Sequence, residues 1–206
     1  MDICQIVTKV ISGQNALEIF NIYNSERIFI LCDRFLIQSG TIDYLTRHIA
    51  SSNTIQIFDD ISPDPNVSDV AKALAAASSF QATVVVAFGG GAAIDTAKGV
   101  IYFGSDAHSF AQSPIFIVVP TTSGTGSEMT SFAIITDVEE KRKIALIDDS
   151  MYADIAVLDP QLTLSVPASI TANTGFDVLT HGLEAYVSKG ATEFTDAIAC
   201  KAIELA

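Results

Sequence analysis

The feature that most constrains this chain is an apolar, β-branched run that ends on three consecutive glycines, ATVVVAFGGG at 82–91, and passes directly into a helical pattern, AAIDTAK. A run without polar alternation describes a strand buried on both faces, which in practice means a parallel sheet covered by helices. RIFILCD at 27–33, TIQIFDD at 54–60 and PIFIVVP at 114–120 repeat that character. Between them, 34–50, 67–79 and 92–103 carry apolar residues at helical spacing. Alternating strands and helices of this kind predict an α/β fold.

After Pro120 the pattern changes. PTTSGTGSE reads as a polar loop, and FAIITDVEEKRKIALI at 132–147 as an antiparallel hairpin with a charged tip. From Pro167 onward only helical patterns follow. The expected architecture is therefore a Rossmann-like, parallel-sheet α/β domain over 1–165, followed by the start of an all-helical domain over 166–206. AIACKAIELA carries no Gly or Pro stop signal, so its helix is expected to continue past Ala206.

Composition narrows the classes of partner. Hydrophobic residues make up 49% of the 206, enough for a sizeable core and too many for a disordered chain. No apolar run approaches the roughly 18 residues of a bilayer span, and MDICQIVTKV lacks the basic start of a signal peptide. Eleven basic against 24 acidic residues give a net charge of −13, which disfavours nucleic acid and anionic membranes as partners. Cys4, Cys32 and Cys200 have neither disulfide-framework nor zinc-knuckle spacing, which fits a reducing cytoplasm.

The chemistry-bearing residues cluster after the predicted strands. Gly89, Gly90 and Gly91 let backbone approach a ligand closely and lead into a helix whose free N–H groups and positive dipole end suit a pyrophosphate. The wording is neither GxxxxGK[ST] nor GxGxxG, so a P-loop and the standard dinucleotide fingerprint are unsupported, and a ligand-free tight turn stays open. Hydroxyls of the Thr121–Ser127 loop suit phosphate, ribose or amide groups, or an ordinary polar turn. Asp33, ending a strand, could accept ribose hydroxyls and repel a 2′-phosphate, favouring NAD over NADP, or simply be a surface carboxylate; like charges ~4 Å apart cost up to about 4 kcal/mol at an effective dielectric near 20. It precedes the glycines, reversing the usual Rossmann order. Asp177 and His181, four apart, share a helix face that could hold part of a Fe²⁺, Zn²⁺ or Mn²⁺ site or be a plain surface pair. No side chain stands out as a general base.

GGGAAIDTAK, PTTSGTGSE, ITD before a basic tip, DPQLTLSVP and ANTGFDVLTHGLEAY together resemble, in order and spacing, the iron-dependent (group III) alcohol dehydrogenases, over essentially the whole chain. The resemblance implies an NAD-binding α/β domain and a helical metal-binding domain with the active site between them. It assigns Asp33 to the adenosine ribose, Gly90, Gly91, Ala92 and Asp95 to the pyrophosphate and nicotinamide region, and Thr121 and Thr122 to adenine-side and phosphate contacts. Thr130, Phe132, Lys143 and Leu162 would line the rest of the cleft, and Asp177 and His181 would be two ligands of Fe²⁺, with Zn²⁺ the alternative. Ala92 departs from the family's usual serine, and two further histidine ligands lie in a part of the family's sequence beyond Ala206. The wording is most similar to short-chain propanol and ethanol dehydrogenases, implying a small alcohol or aldehyde substrate, a homodimer or higher homo-oligomer, and a cytoplasmic, microcompartment-associated setting. A polyol or sugar-phosphate enzyme of the glycerol-dehydrogenase or dehydroquinate-synthase type, and a non-catalytic nucleotide-binding module, are the rival readings.

Overall fold

The computed structural model describes residues 5–206, so Cys4 and the start of the MDIC segment lie outside the described residues. Six strands form one parallel sheet: β1 (Lys9–Ser12), β2 (Arg27–Cys32), β3 (Thr54–Phe58), β4 (Val84–Gly89), β5 (Ile115–Pro120) and β8 (Ile155–Leu158), in the order β1-β8-β5-β4-β2-β3. The four strands expected from their apolar runs are present, but β3 is an edge strand with no buried residue, so the expectation that it is buried on both faces does not hold. Two more, β1 and β8, are four residues each and too short to stand out in the sequence. The central strand β4 is buried at every position, as its lack of alternation requires.

Alternate residues of each strand feed two different cores. Ile28, Ile30, Val84, Val86 and Ile117 pack beneath Leu17 and Phe20 of a 3₁₀ turn (Ala16–Ile22) and beneath Leu36, Ile42 and Leu45. Those last three belong to α1 (Arg34–Gln38) and α2 (Ile42–Thr46). Phe29, Leu31, Val85, Ala87 and Val118 pack instead against α3 (Val67–Phe80) and α4 (Gly91–Asp106). Connections running toward β3 (β1 to β2, β2 to β3) therefore cover one face, and those running back (β3 to β4, β4 to β5) cover the other. Right-handed crossovers impose this sorting. The predicted single helix over 34–50 is instead two short ones, because Gly40 turns the chain at φ +74 between them.

The hairpin is β6 (Phe132–Asp137) paired antiparallel with β7 (Arg142–Ile147), and the Thr136 N–H fastens it to the Pro65 carbonyl at 2.8 Å. Beyond β8, the chain is helical: α5 (Ala168–Val187) packs on α6 (Glu193–Leu205), whose start is closed by a reciprocal Thr192–Thr195 capping box.

α3 and α4 lie close because Gly99 offers no side chain; a Cβ there would come within 2.9 Å of both Val70 methyls. Gly99→Val should destabilise the protein in urea unfolding by about 1–3 kcal/mol through overpacking, since the two residues differ little in helix preference. Adding Val70→Ala should recover most of that loss.

Candidate functional site

All six strands of the main sheet are parallel, so Cys32, Phe58, Gly89, Pro120 and Leu158 end at one edge. There the chain leaves β2 toward one face and neighbouring β4 toward the other, opening a crevice between their carboxyl ends. Asp33 and Gly89 face each other across it. A Cβ on Gly89 would lie 2.7 Å from Asp33 Oδ2 and 2.7 Å from Ala93 Cβ, so only a glycine lets the carboxylate rest there. Burial pushes the Asp33 carboxyl above its usual range, and the Gly90 N–H that it accepts draws it partly back.

Gly90 is the extended N-cap of α4 and contributes no side-chain cap. The first N–H groups of α4, those of Gly91 and Ala92 included, are thus left with neither an intrahelical nor a capping side-chain acceptor. Two threonines close over this turn: Thr122 Oγ1 would sit 3.4 Å from a Cβ on Gly90, and Thr125 Cγ2 3.2 Å from one on Gly91. The Thr121 N–H donates to the Gly89 carbonyl at 3.0 Å, fixing the two loops to each other. A cleft of about 510 Å³ results, lined by Asp33, Arg34, Gly90, Thr121, Thr122 and Leu162, with Ile170 of α5 on its far wall. The structure therefore brings together five residues singled out in the sequence, Asp33, Gly90, Thr121, Thr122 and Leu162, with Gly91 and Ala92 following Gly90 in the first turn of α4.

The other candidates are placed differently. Asp95 accepts the Ser127 hydroxyl (2.7 Å) and the Ile134 N–H (3.0 Å). Thr130 Oγ1 and the Phe132 carbonyl each accept from Lys98 Nζ, at 3.0 and 2.6 Å, and Lys98 also donates to Ser127 Oγ at 3.0 Å. These residues tie α4 to the end of the threonine loop and to β6. The Phe132 side chain is half-exposed, and Lys143 is an exposed partner of Asp64 at 3.1 Å. Lys98, fully buried, is the residue that sequence reasoning missed; its three-residue spacing from Asp95 on α4 was the available signal. Burial lowers its ammonium to about 8, against the pull of Asp95 and Glu128, and burial likewise raises the Asp95 and Glu128 carboxyls. Beside the crevice, Cys32 is an inert thiol, pushed up to about 12 by burial and then by Asp33.

On α5, Asp177 Oδ1 and His181 Nε2 are 3.8 Å apart, with the two side chains 42% and 54% exposed. Ligands about 2.0–2.2 Å from one tetrahedral metal lie roughly 3.3–3.6 Å apart, so a small rotamer adjustment would let this pair share an ion. Among the described residues no group of three or more His, Cys, Asp or Glu gathers in this way. The threonine loop reaches this helix too: a Cβ on Gly124 would be 2.5 Å from Thr174 Cβ, and Gly124 and Gly126 share an apolar groove with Val178, His181 and Gly182.

A parallel sheet with an uncapped helix start at its switch point makes this a Rossmann-like α/β protein, joined to a helical region. Within that class, the chain belongs to the iron-containing alcohol dehydrogenase family: residues 7–160 match that family, and 171–206 match the C-terminal part of the Fe-containing alcohol dehydrogenase family. It is 42% identical over 205 residues to the 1-propanol dehydrogenase PduQ of Salmonella typhimurium, covering 100% of this chain and 55% of that protein. Identity to PduQ of Citrobacter freundii is 44% over 199 residues, covering 96% and 53%. Among solved structures, the sulfoacetaldehyde reductase of Bifidobacterium kashiwanohense in complex with NAD+ superposes with TM-score 0.88 at 30% identity, covering 99% of this chain and 58% of that one. The chain spans about half the length of these relatives.

Lys98→Met leaves Ser127 Oγ, Thr130 Oγ1 and the Phe132 carbonyl without their shared donor and should cost about 1–3 kcal/mol. Between pH 8 and 10.5 the folded state holds fewer protons at Lys98 than the unfolded state, so this group makes stability rise with pH in that window. Urea unfolding at several pH values should show that rise in the parent protein and its loss in Lys98→Met.

Proposed function

We propose that this chain is the NAD-binding part, with the first half of the metal site, of an oxidoreductase that interconverts small primary alcohols and aldehydes. The observation that carries this reading is the convergence of Asp33, Gly90, Thr121, Thr122 and Leu162 on one cleft, walled on its far side by the helix that bears Asp177 and His181. We divide the chain at 165/166, between the end of β8 and the start of α5, into a dinucleotide-binding domain and the beginning of the metal-binding domain.

In this reading Asp33 accepts hydrogen bonds from the adenosine ribose hydroxyls and excludes a 2′-phosphate by charge. The N–H groups at the start of α4, Gly91 and Ala92 among them, receive the pyrophosphate, aided by the positive end of the helix. Ala92 contributes through its backbone alone. The hydroxyls of Thr121 and Thr122 orient the phosphates and the adenine side, and Leu162 packs against the apolar part of the ligand. Asp95 and Thr130 act on the nicotinamide region by holding the loop and β6 in place through Lys98 and Ser127. Phe132 offers a half-exposed ring to the same region, and Lys143 of the hairpin strand β7 a cation paired with Asp64. Asp177 and His181 would hold Fe²⁺, or Zn²⁺. When bound, NAD supplies the hydride acceptor, and the metal a Lewis acid that polarises the substrate oxygen.

Similarity to 1-propanol dehydrogenases supports a substrate of two to four carbons. A homo-oligomer in a cytoplasmic, microcompartment-associated setting completes the proposal. No helix among the described residues is long and apolar enough to cross a membrane.

The protein at the length of its relatives should oxidise 1-propanol with NAD in the presence of Fe²⁺. His181→Ala should lower kcat by more than about 100-fold, beyond what loss of a supporting partner around a metal costs. Turnover that persists after complete metal removal would overturn the metal's role, and turnover of glycerol or a sugar phosphate in place of propanol would overturn the substrate class.

A further inference from the structure

The mouth of the Asp33 cleft carries a second charged arrangement, at the ends of β2 and β3. Arg34, the first residue of α1, lines the same cleft as Asp33. Its Nε donates to Asp59 Oδ2 at 3.0 Å, and its Nη2 lies 4.0 Å from Asp60 Oδ1. Asp60 in turn accepts from Lys72 Nζ of α3 at 2.9 Å. The placement follows from the sheet: β2 and β3 are in parallel register with Leu31 opposite Phe58, so residues 33–34 and 59–60 leave the same edge side by side.

A guanidinium next to the ribose end of a dinucleotide cleft is the group that ordinarily accepts a 2′-phosphate, through forked, charge-assisted hydrogen bonds. Here that guanidinium is engaged by two carboxylates from the neighbouring strand end. Asp33, Asp59 and Asp60 outnumber Arg34 and Lys72, so the mouth has a surplus of negative charge against an incoming phosphate. The side chains of Arg34 and Asp60 are each more than half exposed, and ion pairs of that kind contribute little to folding. The arrangement can therefore be altered without endangering the fold, and its effect falls on what the cleft admits.

We infer that Asp59 and Asp60 are specificity-determining positions for the dinucleotide: by holding Arg34 against the end of β3 they withhold the cation that a 2′-phosphate would need, and so reinforce the preference for NAD over NADP. This rests on the reading of the cleft as a dinucleotide site. Asp59 and Asp60 are positioning residues, acting through Arg34, whereas Asp33 acts on the ribose directly.

The test is fluorescence titration of NADH and NADPH against the protein at the length of its relatives, with melting temperature as a check on folding. Asp59→Asn/Asp60→Asn should tighten NADPH binding about tenfold, the scale of a gained charge-assisted contact, and change NADH binding less than about twofold. Adding Arg34→Ala should return NADPH affinity to the parent value. An NADPH gain that survives removal of Arg34 would overturn the inference, because plain loss of negative charge would then explain it. Unchanged NADPH binding in the double variant, with NADH binding intact, would overturn it as well; Asp59→Asn alone repeats the test if the double variant melts early. Parent protein that binds neither nucleotide would defeat the dinucleotide reading itself, and this inference with it.

Discussion

The site depends on one close approach: a carboxylate resting against bare backbone. Asp33 can occupy the crevice only because Gly89 has no side chain, and the crevice exists only because β2 and β4 are neighbours whose chains depart to opposite faces. A methyl group on Gly89 would displace either the carboxylate or Ala93, and with Ala93 the first turn of α4. Sheet order, helix start and the proposed ribose contact thus meet at one point. It also supports the proposal that an acid preceding the glycines in sequence serves the role usually played by one that follows them. What matters is adjacency in the sheet, and β2 lies beside β4 whatever their order along the chain.

Much of this was legible in the sequence, for identifiable reasons. Strands buried on both faces leave continuous apolar runs, and β2, β4 and β5 carried that mark; β3, an edge strand, stood out only by its β-branched residues. β1 did not, because it is a largely exposed edge strand of four residues, and β8 is equally short. The segment 34–50 kept helical spacing while Gly40 broke it in two, since periodicity reports which side faces the core and is blind to a single turn. At the site, the glycines, Asp33 and the threonine loop were readable because their chemistry follows immediately after strands. The contacts of Asp95 with Ser127 and Ile134, and of Thr130 with Lys98, were not. Which polar group faces a ligand and which faces another polar group depends on packing, and the packing here centres on Lys98. A lysine in a helix is ordinarily a solvated residue, so only tertiary contact shows that this one is enclosed.

The enclosed lysine and the glycines of the threonine loop divide that loop into parts with different duties. Its far end, Ser127 to Phe132, is fixed to α4 through Lys98 and Asp95. Its near end, Thr121 to Gly124, touches the start of α4 on one side and Thr174 of α5 on the other. One segment thus spans the distance between the nucleotide cleft and the helix that presents Asp177 and His181. In the proposed site, the close approaches of Thr122 to Gly90 and of Thr174 to Gly124 set the placement of the cleft relative to α5.

In the proposed dinucleotide site, Ala92, with no side-chain donor, gives the turn that would receive the pyrophosphate an unusual kind of robustness. Amide hydrogens are common to every amino acid except proline, so a turn that recognises charge through them alone holds no information that ordinary genetic drift can erase. Substitutions there would narrow or widen the entrance long before they silenced the recognition, leaving room for divergence in what is admitted while the means of holding it stays the same.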